Sequence, residues 1–227
     1  MQLAVDMHIH TALSPCADND MTPNNIVNMA IIKNLDAIAI TDHNSCDNVE
    51  ATMKTARDKL IVIPGMEVQS REEVHLLCYF YDLKNLKDFD IQIKKSLIYK
   101  QNIPELFGEQ LIFDENDEII GQREELLISS VDLSVDDIVG QVRKHGGVVV
   151  PAHVDRYSYS LLSQLGFIPS YLNFTTLEFS QSDTNISSQL QDFRHIHFSD
   201  AHYLWDILER TTLIDVKCKT VCSILNY

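Results

Sequence analysis

Short apolar segments that end in, or open on, histidines and acids recur along this chain, and they restrict its fold more than any other feature. The stretch "VDMHIHTALSPCADND", from Val5 to Asp20, begins the series. A strand alternates its faces, so Asp6, His8 and His10 are expected to project to one side. Two imidazoles and a carboxylate on one face suit an apolar core poorly and a cation well. A second segment, Asp36–Thr41, runs into Asp42 and His43. The third, Leu60–Pro64, is followed by Glu67, and the fourth, Val74–Phe80, carries His75 near its start. Later, Val148–Pro151 leads to His153, and Ile196–Ser199 leads to Asp200 and His202, with one more short segment at Thr175–Phe179.

Helical spacing fills the intervals. Thr22-Pro23 reads as an N-cap with proline at the first helical position, ahead of Ile26, Val27, Ala30 and Ile31 on one face. Val49, Met53, Ala56 and Leu60 form a second stripe. Ser134 and Asp137 form a capping box before Val135, Ile138, Val139 and Val142, and Gly146-Gly147 ends that helix. Strand–helix alternation of this kind predicts a parallel α/β architecture, a barrel or an open sheet. In α/β barrels the loops at the carboxyl ends of the strands build the active site. Residues 82–132 are less regular and read as an elaboration inserted into the pattern. Leu86, Phe89, Ile93 and Leu97 suggest a helix there, and "LIFDENDEIIG" (Leu111–Gly121) a hairpin with an acidic turn. That turn is no EF-hand, since Ile119 stands where glycine is required.

With 227 residues, 45% of them hydrophobic and 22% charged, the chain has the composition of one globular domain spanning 1–227. A formal charge of −15 argues against sequence-independent binding to long nucleic acid while leaving small phosphorylated substrates open. No apolar run is long enough for a membrane span, and the first residues lack the basic region of a signal peptide, so a cytoplasmic address is expected. Five cysteines without a C-x-x-C pair read as free thiols.

The imidazoles and carboxylates exceed the three or so protein ligands of a mononuclear catalytic ion. They point to two or three ions, and mixed nitrogen and oxygen donors favour Zn²⁺, Mn²⁺ or Fe²⁺ over Ca²⁺ or Mg²⁺. Adjacent divalent ions lower the pKa of a bridging water and clamp the attacking and leaving oxygens of a phosphoryl transfer. Hydrolysis follows as the expected chemistry.

Taken in order, "DMHIHT", "TDHN", "PGMEV…EVHLL", "PAH" and "FSDAH" resemble the motifs of the PHP (polymerase and histidinol phosphatase) family of metal-dependent phosphoesterases. The resemblance extends from Asp6 to His202 and implies a distorted (β/α)7 barrel with a trinuclear centre. It implies that His8, His10, Glu67 and Asp200 hold one ion, that Asp18, His43 and His202 hold the second, and that Glu67, His75 and His153 hold the third. One position departs from the pattern. The family usually places its acid or histidine directly after the serine of "HTxxS", whereas here Pro15-Cys16-Ala17 intervene between Ser14 and Asp18, leaving Asp18 or else Asp20 as the ligand.

Arg156, three residues after His153, could grip a substrate phosphate or form a loop salt bridge. Tyr157, Tyr159 and Tyr203 line the pocket or simply pack. Asp6 is expected to orient an imidazole or a backbone amide, Asp42 to be structural, His145 to sit on a helix C-terminus, and His195 and His197 to serve core or surface roles. The expected function is hydrolysis of the phosphomonoester of a small metabolite by a metal-bridging hydroxide, with Glu67 bridging and Asp200 a candidate acid. The alternatives are a nucleotidase, acting on nucleotides or bisphosphate nucleotides, or a short-oligonucleotide 5′-exonuclease, and a catalytically inactive metal-binding module.

Overall fold

A computed structural model describes residues 1–181 and 190–227. Its frame is a six-stranded curled sheet in the order β10-β1-β2-β3-β4-β7, built from β1 (Gln2–Ile9), β2 (Ala37–Ile40), β3 (Ile61–Gln69), β4 (His75–Tyr79), β7 (Val148–Pro151) and β10 (Leu213–Asp215). β1, β2 and β3 are parallel, and β10 lies antiparallel to β1. α1 (Pro23–Ile32) and α2 (Val49–Ala56) make the two parallel crossovers.

Between β3 and β4 there is a tight turn instead of a helix. Ser70 accepts from the Glu73 amide and donates its own to Val74, with Glu73 at φ 60°. β4 therefore runs antiparallel to β3 and also to β7, which restores the direction of β1–β3. The reversal explains why His75 stands at the start of its strand: the amino end of β4 meets the carboxyl ends of β3 and β7.

The other side of the curl is covered by a separate parallel pair, β8 (Thr176–Phe179) and β9 (Arg194–His197). On one flank the Val154 amide donates to the Glu178 carbonyl at 2.8 Å. On the other, Ala201 exchanges backbone bonds with His8 and His10 at 3.1 and 3.0 Å. Among the described residues the ladder is thus a curled half-barrel with a two-strand cover, and the strict strand–helix repeat expected of a (β/α)7 barrel is broken at β4.

Strand residues of alternate parity enter two apolar layers. Ile38, Ile40, Met66, Val68, Leu76 and Cys78 pack outward on helices α1, α2, α3 (Leu83–Ser96) and α5 (Val135–Lys144). Leu3, Val5, Met7, Ala39, Ile63, Leu77, Tyr79 and Val150 fill the interior, closed below by Ile214, Val216 and Ile224. Each large aliphatic side chain so buried contributes about 1.5–3 kcal/mol. A register irregularity between Asp6 and Ile9 changes the parity of β1: Met7 and then His8 and His10 face inward, whereas Ile9 joins the helix side. The expected shared face of Asp6, His8 and His10 therefore fails for Asp6, whose carboxylate accepts the Ser199 and Leu208 amides at 3.1 and 2.9 Å.

Thr22 caps α1, and the capping box of Ser134 and Asp137 starts α5. Region 82–132 is packed against the frame. Leu86, Phe89 and Ile93 of α3 enter the core, and a short helix α4 (Pro104–Phe107) precedes a hairpin of β5 (Leu111–Phe113) and β6 (Ile119–Gln122). Asp117 in its acidic turn accepts from the Thr22 hydroxyl at 2.7 Å and the Asn24 amide at 3.0 Å. α6 (Leu161–Leu165) and α7 (Val221–Leu225) complete the helices named here, and all five cysteines are free. No helix of the described residues is long and apolar enough to cross a membrane.

Candidate metal centre

Glu67, near the end of β3, is buried at the centre of the upper rim. Its Oε1 lies 2.9 Å from His75 Nδ1 and 3.4 Å from both His8 Nε2 and His153 Nε2. Its Oε2 lies 3.1 Å from His43 Nδ1 and 3.4 Å from His10 Nε2. Asp200 Oδ1 faces the Nε2 atoms of His8 and His10, each at 3.2 Å, and those two nitrogens are themselves 3.2 Å apart. His202 stacks on His10 with ring centroids 4.3 Å apart. Three groups of potential ligand atoms, each within 4.8 Å of one another, result: His8, His10, Glu67 and Asp200; His10, His43 and His202; His43, Glu67 and His75. His153 Nε2 stands 3.3 Å from His75 Nδ1, so Glu67, His75 and His153 also share one small space.

Asp18 is not in these groups. Its amide donates to the His202 carbonyl at 2.9 Å, while its Oδ1 accepts the Asp20 amide at 2.8 Å. Asp20 is exposed beside it. His153 and Asp200 both hold positive φ, 28° and 51°, a conformation costly for such residues that the surrounding bonds enforce.

The electrostatics of the cluster suit it to a cation. Burial works to raise the Glu67 carboxyl, but neighbouring imidazoles, His75 and His8 foremost, hold it well below the usual carboxylate range. Burial likewise opposes ionisation of Asp200, which His8 and His10 nonetheless hold well below its usual range. Burial, with the His202 ring adding to it, pushes His10 down to about 4 and, in the same way, His43 well below its ordinary value. Histidine nitrogens left neutral in this way keep lone pairs for coordination. Buried His43 Nδ1, Glu67 Oε1 and His153 Nδ1 have no aligned hydrogen-bond partner. Glu67 Oε1 lies within 2.9–3.4 Å of three imidazole nitrogens without a hydrogen-bond partner among them, which leaves its lone pairs open to a cation. This donor set fits borderline divalent cations.

Several of the rings are held from behind. His10 Nδ1 lies 2.9 Å from Ser14 Oγ, which donates to Asp42 Oδ1 at 2.8 Å and accepts the His43 amide at 3.1 Å. Buried Asp42 also accepts the Thr11 amide and hydroxyl, and burial, partly offset by these donors, raises its carboxyl to about 7. Gln69 Oε1 faces His75 Nε2 at 3.0 Å. Glu178, on β8, faces His8 Nδ1 at 2.8 Å with one oxygen and accepts the His153 amide at 2.8 Å with the other. The sequence reading did not single out Glu178; the available signal was an acid inside the alternating apolar run "TLEF". Arg156 reaches the rim and pairs with Asp200 Oδ2 at 2.6 Å. Tyr159 stacks on His75 at 4.8 Å, while Tyr157 is exposed and Tyr203 stacks on Trp205. His145, His195 and His197 lie elsewhere, each on a backbone carbonyl.

The model of the PHP domain matches residues 6–157. The chain belongs to the PHP domain family. Members of that family are metal-dependent hydrolases acting on phosphoester bonds. Asp200 and His202 lie beyond the matched residues yet stand in the cluster, and Glu178, also beyond them, contacts His8. No curated protein sequence matches the chain. Among solved structures, endonuclease Q of Pyrococcus furiosus, a lesion-specific endonuclease, superposes with TM-score 0.74 at 19% identity, over 100% of this chain and 55% of its own. Endonuclease Q in complex with a 27-mer duplex bearing an abasic lesion at the active site gives 0.74 at 18%, over 100% and 56%. A protein of Bifidobacterium adolescentis assigned as a metal-dependent phosphoesterase gives 0.58 at 18%, over 87% of both chains. The chain thus spans about half the length of endonuclease Q.

This likeness corrects the expectation, drawn from the net charge, that long nucleic acid is no partner. The fold is shared with a protein that takes duplex DNA. The total charge is a sum over the chain that counts buried acids with exposed ones. Asp6, Asp42, Glu67 and Glu178 are buried and Asp200 is paired with Arg156, so these acids present no repulsive surface to a phosphate backbone.

Proposed function

We propose that this PHP domain is a metal-dependent phosphoesterase acting on a nucleotide or nucleic-acid phosphoester, and that residues 1–227 form a single domain elaborated at 82–132 on a distorted (β/α)7-type frame. The observation that carries the reading is the convergence of His8, His10, His43, His75 and His153 on buried Glu67, with Asp200, His202 and Arg156 at the solvent side. His8, His10, Glu67 and Asp200 would hold one divalent ion, and Glu67, His75 and His153 another. His43 and His202 would hold a third, with Asp18 as the proposed acid, its backbone already bonded to that of His202. Held by these residues, Zn²⁺, Mn²⁺ or Fe²⁺ would supply positive charge toward the phosphoryl oxygens and lower the pKa of a water molecule.

The chain's own residues do the rest. Glu67 ties the sets together, and the buried imidazoles exclude bulk water from beneath the phosphate. Arg156, held at the rim by Asp200, offers a planar fork to the non-bridging oxygens. Asp200, whose carboxyl lies well below its usual range beside His8 and His10, would hold a cation and orients Arg156, and the proton for the leaving oxygen would come from solvent at the open side.

A phosphomonoester of a small metabolite is the second reading, favoured by the Bifidobacterium protein, with which this chain shares most of its length. The test is hydrolysis by chelator-stripped, metal-reloaded protein of an aryl phosphate, nucleotide mono- and bisphosphates, and a duplex with and without an abasic site. Turnover confined to the nucleotide and duplex substrates is expected. Turnover of the aryl phosphate and no nucleotide would move the second reading ahead, and a loaded protein inert on all of them would overturn both.

A further inference from the structure

Glu178 reaches two of the candidate ligands from a strand that shares no continuous ladder with either of theirs. We propose that Glu178 is a positioning residue whose carboxylate sets the tautomer of His8 and the backbone turn that aims His153, an inference that rests on the metal-centre reading above.

The geometry allows few alternatives. Oε2 lies 2.8 Å from the His153 amide, a group that can only donate, so this oxygen accepts. Oε1 lies 2.8 Å from His8 Nδ1, so that nitrogen carries the proton and Nε2 keeps its lone pair. Nε2 is the atom that faces Glu67 and Asp200, at 3.4 and 3.2 Å. Were the proton on Nε2 instead, it would fill the space meant for a cation. At His153 the carboxylate anchors a residue with φ 28°, which carries its Nε2 to within 3.3 Å of His75 Nδ1. One buried side chain therefore holds a ring from β1 and a turn after β7 in a common frame. Carboxylates behind metal-ligating histidines act in this way generally, raising ligand basicity and fixing the ring.

A carboxylate has two acceptor oxygens for these two donors, and an amide has one. In Glu178→Gln, an amide oxygen on the His153 N–H leaves an NH₂ facing His8 Nδ1, which must then accept and move its proton to Nε2. The opposite flip keeps the His8 tautomer but sets NH₂ against the His153 N–H and releases the turn. Either way one ligand is misplaced in a side chain of unchanged volume. Glu178→Asp retains both acceptors on a shorter stem.

The experiment is Zn²⁺ titration of chelator-stripped wild type, Glu178→Gln and Glu178→Asp, with the melting temperature of each stripped protein and a two-bond ¹H–¹⁵N imidazole spectrum of Zn²⁺-loaded wild type. The expected result is a His8 signal protonated at Nδ1 in wild type. Glu178→Gln should bind Zn²⁺ about 10–100-fold more weakly, with Glu178→Asp recovering part of the loss. Affinity within about twofold of wild type in Glu178→Gln, or His8 protonated at Nε2 in loaded wild type, overturns the inference while leaving the metal centre standing. The wild-type spectrum decides even if the glutamine variant fails to fold. Wild type that binds no Zn²⁺ overturns the centre and this inference together.

Discussion

Each buried imidazole of this site is useful because of what lies on both sides of it. Glu67 faces His8, His10, His43, His75 and His153, so Glu67→Gln keeps the shape and removes the charge they share. We expect it to lower bound metal by at least one equivalent and turnover by about 10²–10³-fold, the scale of a lost preorganised electrostatic contact, read by elemental analysis and assay of one sample. Ser14 matters from behind: Ser14→Ala strips partners from His10 Nδ1, Asp42 Oδ1 and the His43 amide. Each buried group left unsatisfied costs about 1–3 kcal/mol, so a lower urea midpoint is expected for the metal-free protein.

At the scale of elements, two carboxylates join pieces far apart in the chain. Asp117 of the β5–β6 turn caps α1 by accepting from Thr22 and the Asn24 amide, and Asp117→Ala is expected to cost about 1 kcal/mol and to speed hydrogen exchange at the start of α1. Asp36 accepts from the Ala4 amide, Arg210 and Lys219, at 2.9, 2.9 and 3.0 Å. Partial burial raises its carboxyl, but the Ala4 amide, Lys219 and Arg210 outweigh that and leave it below its ordinary value. The stability it adds is therefore fully present above about pH 3.8 and is lost as the pH falls through the lowered value. Asp36→Asn should accordingly destabilise the protein at pH 7 and leave a smaller difference at pH 3, measured by urea unfolding. Strand ends and helix caps were legible because period and capping chemistry are local. The reversal of β4, the parity change in β1 and the position of Glu178 were not, because each depends on which strand lies alongside. "TLEF" gives no sign that its acid meets His8, and "VDMHIH" reads as plain alternation although its register shifts.

For the whole molecule, the site is assembled from both ends of the chain, and so is its stability. Chelation is expected to lower the melting temperature in proportion to the affinity lost; a site at a free metal concentration of 100 times its Kd contributes about 2.7 kcal/mol. The β3–β4 hairpin brings Glu67 and His75 together across a short turn, whereas Asp200 joins Glu67, His8 and His10 from the far end of the sequence. Contacts as local as that hairpin are expected to form early in folding, and the seam between β8 and the segment after β7, where Val154, His153 and Asp155 meet Glu178 and Ser180, is expected among the late ones. A cation held between Glu67 and Asp200 would then fasten the first part of the molecule to form to the last to arrive. Its signature would be kinetic: metal should slow unfolding severalfold in a stopped-flow chevron and leave the refolding limb almost unchanged.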